Sequence, residues 1–152
     1  MNRMAERDHI AQIKRSRLIT TLFVIAIFFF GTLFALKGNT GAVSAQVDGD
    51  GGLLGVVSTY GDACFIELDE IDEFWLAEEL DVGIVVEGEQ TDNTCSGRYR
   101  NEEFGEYTLH VYFDRAPYIV VRYGDGETLV FNQGRERQTN MIYEDLQEAC
   151  GK

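Results

Sequence analysis

The sequence predicts a single membrane-spanning helix followed by one small, barrel-like, mainly-β domain of α+β type closed by a C-terminal helix. Three observations carry this reading. Leu18 to Leu36 is a run of nineteen residues with no ionisable side chain. From Leu53 onward, short runs of β-branched and aromatic residues alternate with Gly, Asp, Asn and Pro turns. After Gly134 the apolar period lengthens from that of a strand to that of a helix.

Residues 1–17 form a basic tail, with Arg3, Arg7, Lys14, Arg15 and Arg17 against Glu6 and Asp8. Residues 18–36 follow as the span. As a helix they cover about 28 Å, close to the roughly 30 Å hydrocarbon thickness of a bilayer. Beyond the span comes Lys37 and then no basic residue until Arg98. The excess of Lys and Arg before the span predicts a cytoplasmic N-terminus and an extracytoplasmic C-terminal domain, a signal-anchor arrangement. A second reading is a cleaved signal peptide, because Val43-Ser44-Ala45 places small residues where a signal peptidase reads, before Gln46. The apolar run is longer than the roughly 7–15 residues of a signal core. Gly31 and Ala35 form a small-xxx-small pair that suits either helix packing or lipid contact.

Residues 37–52 read as a flexible linker, since their small and polar side chains bury too little to offset the entropy of ordering. Asp48-Gly49-Asp50-Gly51 resembles the start of a calcium loop but lacks the remaining oxygen donors in register. Residues 53–152 form the domain. Strands are expected at Leu53–Thr59, Ala63–Glu67, Glu73–Leu76, Gly83–Glu87, Cys95–Arg100, Glu106–Phe113, Tyr118–Tyr123 and Glu127–Phe131. Their separators are turn chemistry, including Tyr60-Gly61-Asp62, the Pro117 corner and Gly124-Asp125-Gly126. In Glu106–Phe113, Tyr107, Leu109, Val111 and Phe113 share a face expected to be buried, and Glu106, Thr108, His110 and Tyr112 one expected to be wet. The last segment sets Ile142, Leu146 and Ala149 or Cys150 at helical spacing, an amphipathic helix of about four turns that can close the open end of a sheet.

Residues 38–152 carry seven basic against twenty-four acidic side chains, a net charge of about −17. Such a surface repels nucleic acid and anionic head groups. Enzymatic patterns are missing: there is no HExxH, CxxC, Walker or GxSxG motif, and the two histidines, His9 and His110, fall on opposite sides of the expected membrane. No catalytic residues, cofactor or metal are therefore expected. Three cysteines, Cys64, Cys95 and Cys150, allow one disulfide and one leftover thiol in an oxidising space. Cys64 with Cys95 is the favoured pairing because both sit beside turns at strand ends; three buried thiols are the alternative.

The Leu68-Asp69-Glu70-Ile71 turn before Phe74-Trp75, the Ser96-Gly97-Arg98-Tyr99 strand, the Phe104-Gly105-Glu106-Tyr107 turn, the Tyr118-Ile119-Val120-Val121 strand and the final helix together resemble bacterial pleckstrin-homology-like domains. The resemblance covers Leu53 to Ala149. It implies an antiparallel barrel or a pair of orthogonal sheets capped by the helix. Phosphoinositide binding is not expected, because the Tyr60-Gly61-Asp62 loop has no basic residue and Arg98 and Arg100 lie beside Glu102 and Glu103. The expected function is a membrane-anchored extracytoplasmic binding or assembly module whose partner is another protein. Its expected contacts are an exposed strand edge, the groove between the terminal helix and the sheet, and the aromatics Phe74, Trp75, Tyr112 and Tyr118, which serve either core or contact. The alternatives are a secreted ligand-binding domain cleaved after Ala45 and an accessory structural subunit of a membrane complex.

Overall fold

The computed structural model describes residues 40–60 and 63–151. The basic tail and the apolar run Leu18–Leu36 lie outside the described residues, and no described helix is long and apolar enough to cross a membrane.

The described residues form a mainly-β domain of two sheets and one helix. Strands β1 (Val43–Asp48), β2 (Leu53–Ser58) and β3 (Cys64–Glu67) make a three-stranded antiparallel sheet in that order. A 3-10 turn at Leu68–Glu70 leads into β4 (Ile71–Ala77), followed by β5 (Ile84–Gln90), β6 (Thr94–Asn101), β7 (Gly105–Tyr112), β8 (Tyr118–Tyr123) and β9 (Glu127–Phe131). These six form a second sheet ordered β4-β8-β9-β7-β6-β5. Helix α1 (Glu136–Cys150) ends at Gly151, whose left-handed φ of 64° closes the helix.

The flexible linker expected over residues 37–52 is corrected by β1. Its small residues hide a period of two: Val43 is buried, Ala45 and Val47 pack against the core, and Ser44, Gln46 and Asp48 face outward. The strand pairs with β2 along its whole length, from Val43 opposite Ser58 to Asp48 opposite Leu53. Asp48-Gly49-Asp50-Gly51 thus belongs to a hairpin turn, in which the Gly51 N–H donates to Asp48 Oδ1 at 2.9 Å. Just before the strand, the Gly41 N–H donates to Asn93 Oδ1 at 2.8 Å while Asn93 Nδ2 donates back to the Gly41 carbonyl at 2.9 Å. This reciprocal pair ties the residues just before β1 to the β5–β6 turn.

A purely antiparallel arrangement is also corrected. β9 pairs antiparallel with β8 but parallel with β7, so it sits between two strands that precede it in sequence. Asn132 completes this insertion. Its Oδ1 accepts from the Tyr112 N–H at 2.7 Å, and its Nδ2 donates to the carbonyls of Tyr112 at 3.1 Å and Arg115 at 2.7 Å. The fully buried side chain thereby satisfies backbone groups that the parallel ladder leaves over where β7 ends.

β4 and β5 are consecutive in sequence yet occupy opposite edges of the sheet. Five strand spacings separate such edges by about 24 Å if the sheet is flat. The connecting residues 78–83 reach at most about 25 Å. Leu80 and Val82 pack into the core on one face of the sheet, so the connection crosses that face. The Tyr107 hydroxyl donates to the Val82 carbonyl at 2.8 Å and Asn101 Nδ2 to the Asp81 carbonyl at 2.7 Å, pinning the crossing.

The central strands of the six-stranded sheet are covered on both sides, whereas β5 is not. One core joins Leu54, Val56 and Ile66 of the small sheet with Ile119, Val121, Leu129 and Phe131 of the large sheet and Leu146 of α1. The other joins Tyr99, Tyr107, Leu109, Val111, Val120 and Val130, with Phe104 and Phe113 packed against them. The wet face expected for β7 is corrected in part for the same reason, with Glu106 exposed as expected and Thr108 and Tyr112 half-buried. Tyr107, Leu109 and Val111 are buried as expected, but His110 on the opposite face is only 1% exposed.

Two outcomes follow. Asn132→Ala leaves buried backbone groups unsatisfied, so urea unfolding should show a loss of about 3 kcal/mol. A chain starting at Gln46 lacks Val43 and the Gly41 ties, and its melting temperature should fall well below that of a chain starting at Asn39.

Candidate functional site

The four aromatics proposed from sequence lie in or against the two cores. Phe74 meets Tyr143 of α1 edge-on at 5.5 Å between ring centroids. Trp75 packs with Phe104 at 6.5 Å and carries the Arg122 guanidinium 5.2 Å from its ring centroid. Tyr112 is half-buried, and its hydroxyl accepts from the Val43 N–H at 3.1 Å. Tyr118 is buried in the second core. None of the four is an exposed aromatic anchor. The groove expected between helix and sheet is filled, because Leu146 is fully buried there and Ile142 and Tyr143 pack against the same core.

The expected Cys64–Cys95 disulfide is corrected: both are free thiols. Strand alternation explains this. Cys64 points into the core between the sheets and Cys95 into the core on the far face of the large sheet. Burial pushes both thiols above their ordinary value, only partly offset by contact with Tyr123 at Cys64 and with Tyr99 at Cys95. A raised thiol is a poor nucleophile at neutral pH.

The exposed apolar surface lies elsewhere. β5 is the outer strand of the large sheet and every one of its seven residues is exposed. Ile84 is 63% exposed, Val85 58% and Val86 41%. A bulge between Val85 and Glu87 leaves Val86 without a register partner on β6. A second apolar point is Phe65, 64% exposed on the outer face of the small sheet, where its ring lies over Gly55.

Beside β5 the two sheets diverge into a cleft of about 480 Å3. Ala63 and Cys64 form one wall, Glu87, Gly88 and Glu89 of β5 the other, and Arg98, Thr108 and His110 line it from β6 and β7. Gly88 and Gly97 face each other across β5 and β6. A Cβ on Gly97, whose φ is 132°, would stand 2.3 Å from the Glu87 carbonyl oxygen, so only glycine permits the two strands to approach here. Arg98 donates to Glu87 at 2.7 Å across the rim, with both side chains more than half exposed. Arg100 is paired with Glu106, which holds that carboxyl below its usual range. Both arginines pair across strands rather than with the neighbouring Glu102 and Glu103, because strand pairing carries Glu87 and Glu106 opposite them.

Among the described residues no group of three or more His, Cys, Asp and Glu is arranged to hold a metal ion. The strand expected at Gly83–Glu87 is present as β5, but its sequence does not mark it as the expected edge, because Ile84-Val85-Val86 is a continuous apolar run, the pattern of a strand covered on both faces. Its place at the edge is set by the strand order, in which β5 pairs with β6 alone.

No family model, curated protein or solved structure matches the chain.

Two measurements test this chemistry. The folded state holds protons on Cys64, Cys95, Tyr99, Tyr107, Tyr118 and Tyr123 that the unfolded chain releases from its ordinary values of 9.0 for thiols and 10.0 for phenols. Stability is therefore unaffected by these groups below about pH 8 and falls as pH rises through 9 and 10, seen as a declining melting temperature. Peptide mapping without reductant should recover no Cys64–Cys95 cross-link, and Cys95 should alkylate more slowly than Cys64.

Proposed function

We propose that this chain is a membrane-anchored extracytoplasmic binding or assembly module without catalytic activity, which holds another protein by strand addition at β5. The observation that carries the reading is the edge itself: seven exposed residues, three of them large and apolar, at the margin of a sheet whose other strands are well packed. Exposed apolar edges of this kind are usually blunted or covered in proteins that act alone. Main-chain groups at such an edge supply affinity, and the alternating side chains supply selection.

The anchored reading rests on the apolar run Leu18–Leu36 and the basic residues before it. With β1 ordered, only Lys37–Thr40 separate that run from Gly41, in place of a sixteen-residue leash. The resemblance to bacterial pleckstrin-homology-like domains agrees with the two sheets and the C-terminal helix and departs from them in the parallel β7–β9 pair. The secreted alternative is disfavoured because a cut after Ala45 divides β1 and removes Val43 from the core.

In native membranes, a photocrosslinker at Val86 should yield one adduct of fixed mass, whereas one at Glu144 on α1 should yield none. Equal labelling at both positions, or none at either, overturns the edge as the contact. Intact mass should show that the segment containing Leu18–Leu36 is retained; a mature N-terminus at Gln46 overturns the anchor.

A further inference from the structure

The edge at β5 is not uniform, and its two halves differ in a way that describes the partner. Its first half is Ile84-Val85-Val86; its second is Glu87-Gly88-Glu89. Glu87 stands opposite Arg98 and Glu89 opposite Ser96. Those β6 residues share a face with Thr108 and His110, their partners on β7, and Thr108, His110 and Arg98 line the cleft. Glu87 and Glu89 therefore project on the cleft side of the sheet, two residues apart. Arg98 neutralises Glu87, while no ion pair to Glu89 is formed among the described residues. Ser96, its cross-strand neighbour, brings no charge.

Resting on the reading of β5 as a contact edge, we propose that the strand it receives is basic at one end and apolar at the other: two Lys or Arg residues spaced i and i+2, set against Glu87 and Glu89, and apolar residues set against Ile84–Val86. A strand added to β5 continues the pleat, so its alternate side chains come within about 5 Å, Cβ to Cβ, of those on β5. The side chains on the cleft side meet Glu87 and Glu89 and open onto the cleft, whose volume accepts a long cationic stem and whose lining from β7 includes Thr108. The charge of residues 38–152, seven basic against twenty-four acidic, favours a cationic segment at long range and opposes a second copy of this chain.

The test uses the full-length chain in non-ionic detergent and end-blocked heptapeptides. One probe reads lysine, threonine, lysine, threonine and three valines; a second has the reverse order, since either strand direction is open. Two further sets replace both lysines by serine or by glutamate. The better lysine peptide should bind at least tenfold more tightly than its serine or glutamate counterpart in low salt, and lose most of that advantage at 0.5 M salt. The Glu87→Gln/Glu89→Gln double variant should bring the three within about threefold of one another, and Glu89→Gln alone should produce part of that effect. Val86→Pro should weaken all of them. Both carboxylates are exposed, so the glutamine variants should keep the parent melting temperature. Equal binding of lysine and serine peptides, still sensitive to Val86→Pro, overturns the basic preference and leaves the edge reading standing. A lysine preference that survives the double variant also overturns it. No binding of any peptide overturns both, and concentration-dependent self-association abolished by Val86→Pro assigns the edge to a second copy and overturns the basic partner.

Discussion

The insertion of β9 between β7 and β8, fastened by the buried amide of Asn132, is the constraint on which the rest of the domain depends. β9, like β8 beside it, contributes to both cores at full burial along adjacent residues: Leu129 and Phe131 face the small sheet and helix, and Val130 faces the opposite side. Its hydrogen bonds hold together two groups of strands that otherwise share no ladder, β4-β8 and β7-β6-β5. Asn132 stands where that ladder runs out, and replaces strand partners with a side chain. With β9 in place, β4 and β5 become the two edges, residues 78–83 must cross between them, and the crossing supplies cover for the second core.

Local pattern made most of this architecture legible. β8 and β9 fall where the β-branched runs and the Gly124-Asp125-Gly126 turn place them, and α1 follows from Ile142 and Leu146. β1 was hidden because Val43, Ala45 and Val47 are small and sit among glycines, so composition spoke louder than alternation. The burial of His110 was hidden for a different reason. Period two tells which residues share a face, and the packing of another sheet decides whether that face is dry.

The candidate site was less legible than the fold because exposure at an edge is a property of topology. Phe74, Trp75, Tyr112 and Tyr118 carry the features usually sought at contact surfaces, yet each sits over a strand interior that a helix, loop or sheet covers. Ile84–Val86 carry the continuous apolar pattern typical of a sheet interior and lie at its margin. The parallel β7–β9 pair links residues separated by some twenty positions in the chain, and nothing local in either strand announces it. Cys64 and Cys95 illustrate the same point. Both lie next to turns, and the alternation of their strands sends them to different cores.

The position of β9 also bears on how the domain can be made. A ribosome delivers β1, β2 and β3 first, and these can pair in order as they emerge. The larger sheet cannot close in that way, because β7 and β8 must be held apart for a strand that follows them both. Until Phe131 and Asn132 have been synthesised, the chain holds two strand groups with open edges, and non-local pairing of this kind is slow and exposed to misassembly. The last strand made is thus the keystone, and a nascent chain interrupted before it would carry nearly every element of the domain and lack the one that joins them.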